Sequence, residues 1–431
     1  KEGQQITEKD ALGSTCSRTY DENGNLISET DKNGNTWNYL YDAADQLICS
    51  TDPAGGKTHY EYDVNGNTTS ETSPLGNRNE YGYDAAGNLL TEKDPLEHTT
   101  TYTYDLLGRV IKVTNKDDSE SSNEYDANGN IVSSTDEEGY STTYKYDENG
   151  QLIEMKNARG FITTYMYDEC GNRIVETDAL NGKNVSIYDK VGNIISSTDP
   201  SGNVKEYKYD ASGRIIETKD AIGTTKTAYD ANGNVIKITQ ADGSIITYEY
   251  DKCDQLTAYT DAEGYTHTYK YDGNGNIVEE TDGNGNTTVY LYDSLDRLIS
   301  VTDPQDGVSR KEYDADGRQT KVVDEEGAIT SYKYDADSRL TEITDALGNK
   351  TVFTYDEMDR VITATDARGG ITSYTYDKRG DIITKTDAEG NLTSYEYDGN
   401  GNCIKMTTSD GETVYEYDEL DRLIKTVYPD G

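Results

Sequence analysis

Between Tyr188 and Asp210 the chain reads YDKVGNIISSTDPSGNVKEYKYD, and this stretch decides the fold. With the tyrosine of Tyr188-Asp189 numbered position one, Gly192 stands at position five, Asn193 at six and the aliphatic pair Ile194-Ile195 at seven and eight. Asp189 through Asn193 has the chemistry of a three-residue turn, closed by a left-handed glycine, whose aspartate accepts hydrogen bonds from the turn backbone. A second punctuation follows at Thr198–Gly202, where Pro200 supplies a fixed φ without removing a ladder donor. The runs of Ile, Ser, Thr, Val and Tyr between these turns are strand sequences, and no helical apolar period interrupts them. One unit therefore holds two short strands and two turns, and connections this short force antiparallel pairing.

The same unit fills the chain. Tyr-Asp occurs 20 times from Tyr20 to Tyr417; of the 19 intervals, 17 are 21 residues and two are 20, so residues 1–431 form a single array. Position one is held by Tyr20, Tyr41, Tyr62, Tyr83, Tyr104, Tyr146, Tyr209, Tyr250, Tyr334 and Tyr376 among others. Position five is Gly in 14 copies, including Gly24, Gly66, Gly129 and Gly233, and Asp in five. Both short units, Tyr209–Ala228 and Tyr397–Glu416, lose a residue between the second-turn glycine and the next tyrosine, which reads as a shortened turn. Counting the frame outward places Gly3 and Gly431 at turn glycines, so the array is expected to be cut within a repeat at both ends.

The expected fold is all β: a continuous antiparallel meander of about 20 repeats, or about 41 strands. At roughly 4.8 Å per strand such a ribbon is about 200 Å long if flat. Open twisted sheets rarely exceed about ten strands without curling, so a spiral sheet forming a hollow tube or shell is expected. A three-residue turn sets position one opposite position seven. The tyrosine two residues earlier lies on the same face, and position eight points to the other. Tyr-x-Tyr occurs in 14 copies, which makes this face a tyrosine ladder. The chain has 38 Tyr against two Phe and one Trp. A dry core accepts Phe as readily as Tyr, whereas a phenol needs a partner for its hydroxyl. The bias points to a wet surface or a regular hydroxyl network, with strand propensity alone as the simpler explanation.

Composition limits the partners. With 82 acidic and 40 basic residues the net charge is −42. Nucleic acid and anionic membrane surfaces repel such a chain. No run of about 18 apolar residues exists to span a bilayer.

The motif Tyr-Asp-x-x-Gly-(Asn/Arg)-Leu-Ile, followed by Thr-Asp-Pro-x-Gly-Asn, resembles the YD repeat, also called the RHS repeat. YDLLGRV at Tyr104–Val110, YDASGRI at Tyr209–Ile215 and YDSLDRL at Tyr292–Leu298 carry the likeness, which extends over the whole chain. The resemblance implies a β-sheet ribbon spiralling into a hollow shell, as in bacterial polymorphic toxins, insecticidal toxin complexes, wall-associated proteins and teneurins. In the toxins the shell encloses a toxic C-terminal domain. The family's self-cleaving core segment, hypervariable toxin and plug are not found between Lys1 and Gly431.

Chemical sites are few. Asp-x-Asn-Gly-Asn resembles the start of a calcium loop. The weak candidates are Asp21, Asn23 and Asn25, and Asp272, Asn274 and Asn276. No bidentate Glu follows at the required distance, and sibling loops carry Arg in place of the last Asn; turn chemistry accounts for every copy. His59, His98 and His267 occupy scattered repeat positions and read as strand polars. Cys16, Cys49, Cys170, Cys253 and Cys403 contain no CxxC pair and read as free thiols. No nucleophile elbow, phosphate loop or dinucleotide fingerprint is present, so neither catalysis nor a cofactor is expected. The expected function is a structural shell of a secreted or bacterial surface protein. By resemblance, it encloses a C-terminal toxin or other protein cargo. Its other expected contacts are further repeats, or identical copies end to end. The alternatives are an extended surface tube or filament for adhesion and a glycan-binding module.

Overall fold

The computed structural model describes residues 5–430. They form 41 strands, from Gln5–Lys9 to Leu423–Val427, in a single antiparallel sheet, with no helix among the described residues. The strands are five to seven residues long, and the ladders join strands consecutive in sequence.

Both turns of the repeat close in the same way. In the unit that begins at Tyr188, Asp189 N donates to the Asn193 carbonyl at 2.8 Å and Gly192 N to the Asp189 carbonyl at 3.2 Å. In the second turn Asp199 N donates to Asn203 O at 3.0 Å and Gly202 N to Asp199 O at 2.9 Å. Each turn closes around a left-handed residue: Gly129 has φ 94°, and Gly24, Gly66 and Gly233 behave alike. Asp45 and Asp254 hold the same position at φ 61°, a conformation that a short polar side chain tolerates better than most. The two 20-residue units contain two-residue connections. Asp220 N bonds directly to Gly223 O, and Thr408 pairs with Gly411.

Position one does oppose position seven, as at Tyr188↔Ile194 and Tyr41↔Leu47. The expected alternation then breaks. Ile187 pairs with Ser196, which leaves Ile195 as the extra residue of a β-bulge; Ile48 is skipped in the same way between Leu47 and Cys49. Position eight is therefore a bulge residue and not an ordinary member of the opposite face. A bulge adds local twist and bends the strand, and its recurrence in unit after unit biases the whole ribbon in one direction.

The sheet is one layer deep. In Ser141–Tyr146 the residues alternate exposed and half-buried, with Tyr144 and Tyr146 on the half-buried face and Lys145 on the other. Among the described residues Ala258 is the sole apolar side chain that counts as buried. Among the described residues no second sheet stacks on this one to make a dry core, so the tyrosine face carries most of what apolar burial there is.

The chain divides into two compact units, Lys1–His98 with Lys226–Lys350 and Thr99–Thr225 with Thr351–Gly431. In the first, turns 239–243 residues apart meet: Asn274 Nδ2 donates to Asp31 Oδ2 at 2.7 Å, Asn33 Nδ2 to Asp272 Oδ2 at 3.0 Å and Ser73 Oγ to Asp316 Oδ2 at 3.0 Å. In the second, Lys378 N donates to Glu138 Oε1 at 2.8 Å, Arg159 N to Asn400 Oδ1 at 3.2 Å and Arg379 Nη1 reaches Asp136 Oδ2 at 3.5 Å. Within each unit, one edge of the ribbon thus meets the other after about 240 residues, a second turn against a Tyr-Asp turn.

Candidate functional site

Strand alternation brings the position-one tyrosines onto one face, and their hydroxyls find a repeated partner. Tyr41 Oη donates to the Leu26 carbonyl at 3.0 Å, Tyr146 to Ile131 at 3.0 Å, Tyr209 to Ile194 at 2.7 Å, Tyr250 to Val235 at 3.0 Å and Tyr376 to Val361 at 2.6 Å. In each case the acceptor is position seven of the preceding repeat. The phenol spans the gap between adjacent hairpins and binds the residue at which the bulge begins. Tyr62 and Tyr334 do the same with Leu47 and Gln319. Tyr20, Tyr83 and Tyr104 sit in the same register opposite Leu26, Leu89 and Val110. Phenylalanine cannot make this bond, which gives the choice of tyrosine at position one a physical cause. Burial raises the pKa of Tyr41, Tyr146 and Tyr376 above the usual phenol value, because the ring face admits little water to solvate a phenolate.

Arginine at position six adds a second link that the sequence reading overlooked. Arg318 Nε binds Asp314 Oδ2 at 2.8 Å, its guanidinium lies 5.1 Å from the Tyr334 ring centroid, and its Nη1 donates to the Asp335 carbonyl at 2.9 Å. Arg109, Arg297 and Arg360 repeat the arrangement on Tyr125, Tyr313 and Tyr376. The signal was the recurrence of Arg six residues into the repeat, directly before the aliphatic position.

The calcium candidates are engaged by their own turns. Asp21 Oδ1 accepts from the backbone N of Asn23 and Asn25, and Oδ2 accepts from Asn25 Nδ2 at 3.0 Å. Asn23 and Asn25 then donate to Asp45 Oδ1 of the next turn, both at 2.7 Å. Asp272 likewise serves Asn274 and Asn276, while Asn274 donates to Asp31 and Asp296. These donated bonds hold the Asp21 carboxyl below the usual carboxylate range, that from the Asn25 backbone foremost.

The three histidines separate. His59 is an exposed strand residue opposite Cys49 and Thr72. His267 stacks on Tyr259, 4.5 Å between centroids. His98 lies near Asp94 and Asp337, a grouping its sequence neighbours did not foretell. All five cysteines are free, and burial raises the Cys403 thiol.

What the geometry defines is a class of protein: a single-layer repeat wall, lined by tyrosine on one face and knitted along its edges by aspartate turns. The family model for the Teneurin YD-shell matches residues 55–190, 186–310 and 303–428, and that for the RHS Repeat matches residues 1–36 and 20–50. The chain belongs to the YD-repeat, or RHS-repeat, family in its YD-shell form. No curated protein matches it.

Among solved structures it is similar to a chain of the crystal structure of TcdB2-TccC3-TEV, with TM-score 0.69 and 14% identity over 98% of this chain. It is also similar to a chain of the Photorhabdus luminescens Tc holotoxin pore carrying a TccC3 mutation, with TM-score 0.54 and 15% identity over 93% of this chain. In both cases it spans 26% of the solved chain, about a quarter of its length.

Proposed function

We propose that this chain is a non-enzymatic section of a shell wall, part of a secreted or surface protein whose spiral sheet encloses protein cargo. The observation that carries the reading is the edge-to-edge contact between turns 239–243 residues apart. A ribbon that seals against itself through directional bonds makes a wall, and a wall is useful where something must be kept from solvent. Family membership and the fold shared with Tc toxin chains support it. The array is uniform, its turn aspartates bond within their own turns, and strand glutamates such as Glu154 and Glu217 pair with neighbouring lysines, which leaves little from which to build a catalytic centre.

The test joins imaging to protection. Electron micrographs of the natural full-length protein should show a particle with a low-density interior, and a protease-sensitive segment within it should resist cleavage until the wall is denatured. An open filament with freely cleaved segments would overturn the shell and favour an adhesive tube. A solid particle whose tyrosine face binds oligosaccharide would favour the glycan module.

A further inference from the structure

In the unit formed by Lys1–His98 and Lys226–Lys350, two turn-to-turn junctions make the same kind of bonds with the partners exchanged. At the first, the carboxylate belongs to the second turn. Asp31 Oδ2 accepts from Asn35 Nδ2 of its own turn at 2.9 Å and from Asn274 Nδ2, 243 residues on, at 2.7 Å. Asn274 stands at position four of its Tyr-Asp turn, and its Oδ1 accepts from the backbone N of Lys32 and Asn33 at 3.1 and 3.2 Å. Two repeats along, at the same offset, the carboxylate has changed sides: Ser73 stands where Asp31 does, and position four is Asp316. Asp316 Oδ2 accepts from Ser73 Oγ at 3.0 Å and from Asn77 Nδ2 at 2.8 Å, while Oδ1 accepts from the backbone N of Leu75 at 3.0 Å. The asparagine of the second turn thus finds its carboxylate in its own turn at one junction and across the seam at the other.

The exchange accounts for a departure from the repeat that turn chemistry alone leaves unexplained. Of the five second turns between Asp10 and His98, those at Asp10, Asp31, Asp52 and Asp94 open with aspartate, and Ser73 is the exception. Serine is the poorer residue for its own turn. Ser73 Oγ accepts from Asn77 N at 3.2 Å, against 2.7 Å for Asp31 Oδ1 from Asn35 N, and it has no carboxylate for Asn77 Nδ2. Opposite Asp316 it is the better residue, because an aspartate there would set like charge against like. A slip of one repeat would place Asp316 against Asp52 or Asp94. The turn of Asp52 has Gly56 at the position of Asn77, and so no side-chain amide to donate. Where the observed register does bring an aspartate, Asp337, close to Asp94, that turn carries His98 at the same position. The other unit has a third arrangement at this offset, with Arg379 against Asp136.

We propose that position four of the Tyr-Asp turn and the first residue of the second turn form matched pairs that decide which turns meet, and that Ser73 with Asp316 selects the register in which this unit closes. An asparagine at position four fits any turn that opens with aspartate, so Asn274 does not distinguish one repeat from the next. Asp316 does. Among the turns between Asp10 and His98, Ser73 and Asn77 alone offer two side-chain donors with no opposing carboxylate. The pairing rests on the contact of the ribbon with itself, whatever the wall encloses.

Turn chemistry and seam pairing give opposite signs for one substitution, read on the full chain by calorimetry and by hydrogen exchange of the segment 73–77. Ser73→Asp restores the usual turn residue, which on turn chemistry alone stabilises. Against Asp316 it should instead lower Tm by about 3 °C or more and speed exchange of the Leu75 amide by about tenfold, as loss of a bond to a carboxylate implies. Asp316→Asn alone turns an amide nitrogen toward that of Asn77 and should also lower Tm. The two changes together copy the junction of Asp31 with Asn274, and should recover most of both losses. Gln240→Asp makes the same kind of change in an exposed turn and should leave Tm unchanged or raise it. Ser73→Asp melting at or above the parent with exchange unchanged refutes the pairing, as does a double variant no better than Ser73→Asp. An equal loss at Gln240→Asp refutes it too, because the cost then lies in the turn. If Ser73→Asp fails to fold, the double variant decides: a folded chain with the parent's protection at 73–77 supports the pairing, and an unfolded one refutes it.

Discussion

Replacing the position-one tyrosines Tyr250, Tyr271, Tyr292, Tyr313 and Tyr334 together by phenylalanine removes five hydroxyls and little else. Their bonds, to Val235, Leu256, Ile277, Leu298 and Gln319, run from 2.7 to 3.0 Å. A neutral hydrogen bond contributes about 0.5–1.5 kcal/mol net. The freed carbonyls lie in a half-buried layer that water can reach, so the lower part of that range applies, about 0.7 kcal/mol each. Successive copies are two strands apart, about 9.6 Å, where effects nearly add; the five-fold variant should lose about 3–4 kcal/mol. For a cooperative unit of about 200 residues, each kcal/mol lowers Tm by about 2–4 °C, which predicts a fall of about 7–14 °C by calorimetry. Lys270→Thr and Leu291→Thr, on the exposed face between paired tyrosines, should stay within about 0.5 kcal/mol of the parent. A five-fold variant melting within about a degree of the parent, or controls that cost as much per site, would refute the assignment of the hydroxyl as the link between hairpins.

Alkali should unfold the array ahead of ordinary β proteins: unfolded phenols ionise near 10, whereas burial, with lesser help from Cys403 and Asp381, pushes Tyr397 up to about 12. Stability is then full below pH 10 and falls between pH 10 and 12, which urea midpoints at stepped pH will report. Gly129→Ala puts a side chain at φ 94° with no contact tighter than 3.7 Å, so only backbone strain of about 1–2 kcal/mol is expected; Asp254→Gly at the equivalent position relieves that strain but gives up the bonds that Asp254 Oδ1 accepts from Asn232 and Asn234, so it should not stabilise in the same melt. Arg318→Lys keeps the charge but loses the planar fork that joins Asp314 to the Asp335 carbonyl, and about 1–2 kcal/mol should go with it in denaturant titrations.

The strands and both turns were legible because their causes are local. Asp189, Gly192 and Asn193 close their loop without help from distant residues, and the turn length dictates that Tyr188 faces Ile194. The bulge at Ile195 was not legible, since no glycine or proline marks it and an isoleucine pair reads as simple alternation. The contact of Asp31 with Asn274 was out of reach for another reason. How many strands pass before the ribbon meets itself depends on small twists summed along it, and no single residue states that sum. His98 shows the consequence. Along the chain it is one odd residue in one turn, and it acquires Asp337 as a neighbour only through the 243-residue offset.

The acidity of the chain follows from the same turn chemistry, and the opening repeat offers a way to test this. Asp199 Oδ1 accepts from the backbone N of Ser201 and Asn203, and Oδ2 accepts from Asn203 Nδ2 at 2.8 Å. The Asn203 amide leads the bonds that hold this carboxyl below its usual range, so its contribution to stability is present above about pH 4 and fades as the pH falls further. An asparagine at position 199 could still accept the two backbone bonds, but its amide nitrogen would face that of Asn203, donor against donor. The chain already avoids this clash. Where asparagine takes the aspartate's place, the residue four further on is not Asn or Arg: Asn115 donates to Ser119 Oγ at 3.0 Å, and Asn157 Oδ1 accepts from the backbone N of Phe161 at 2.9 Å. Asp199→Asn alone should therefore lower Tm, and adding Asn203→Ser, which copies the Asn115–Ser119 arrangement, should recover most of the loss. The double variant should also lose the acid-side dependence that Asp199 supplies. If the single and double variants melt alike, the carboxylate matters for its charge and not for its acceptor geometry, and the net charge of −42 would need a cause other than the turns.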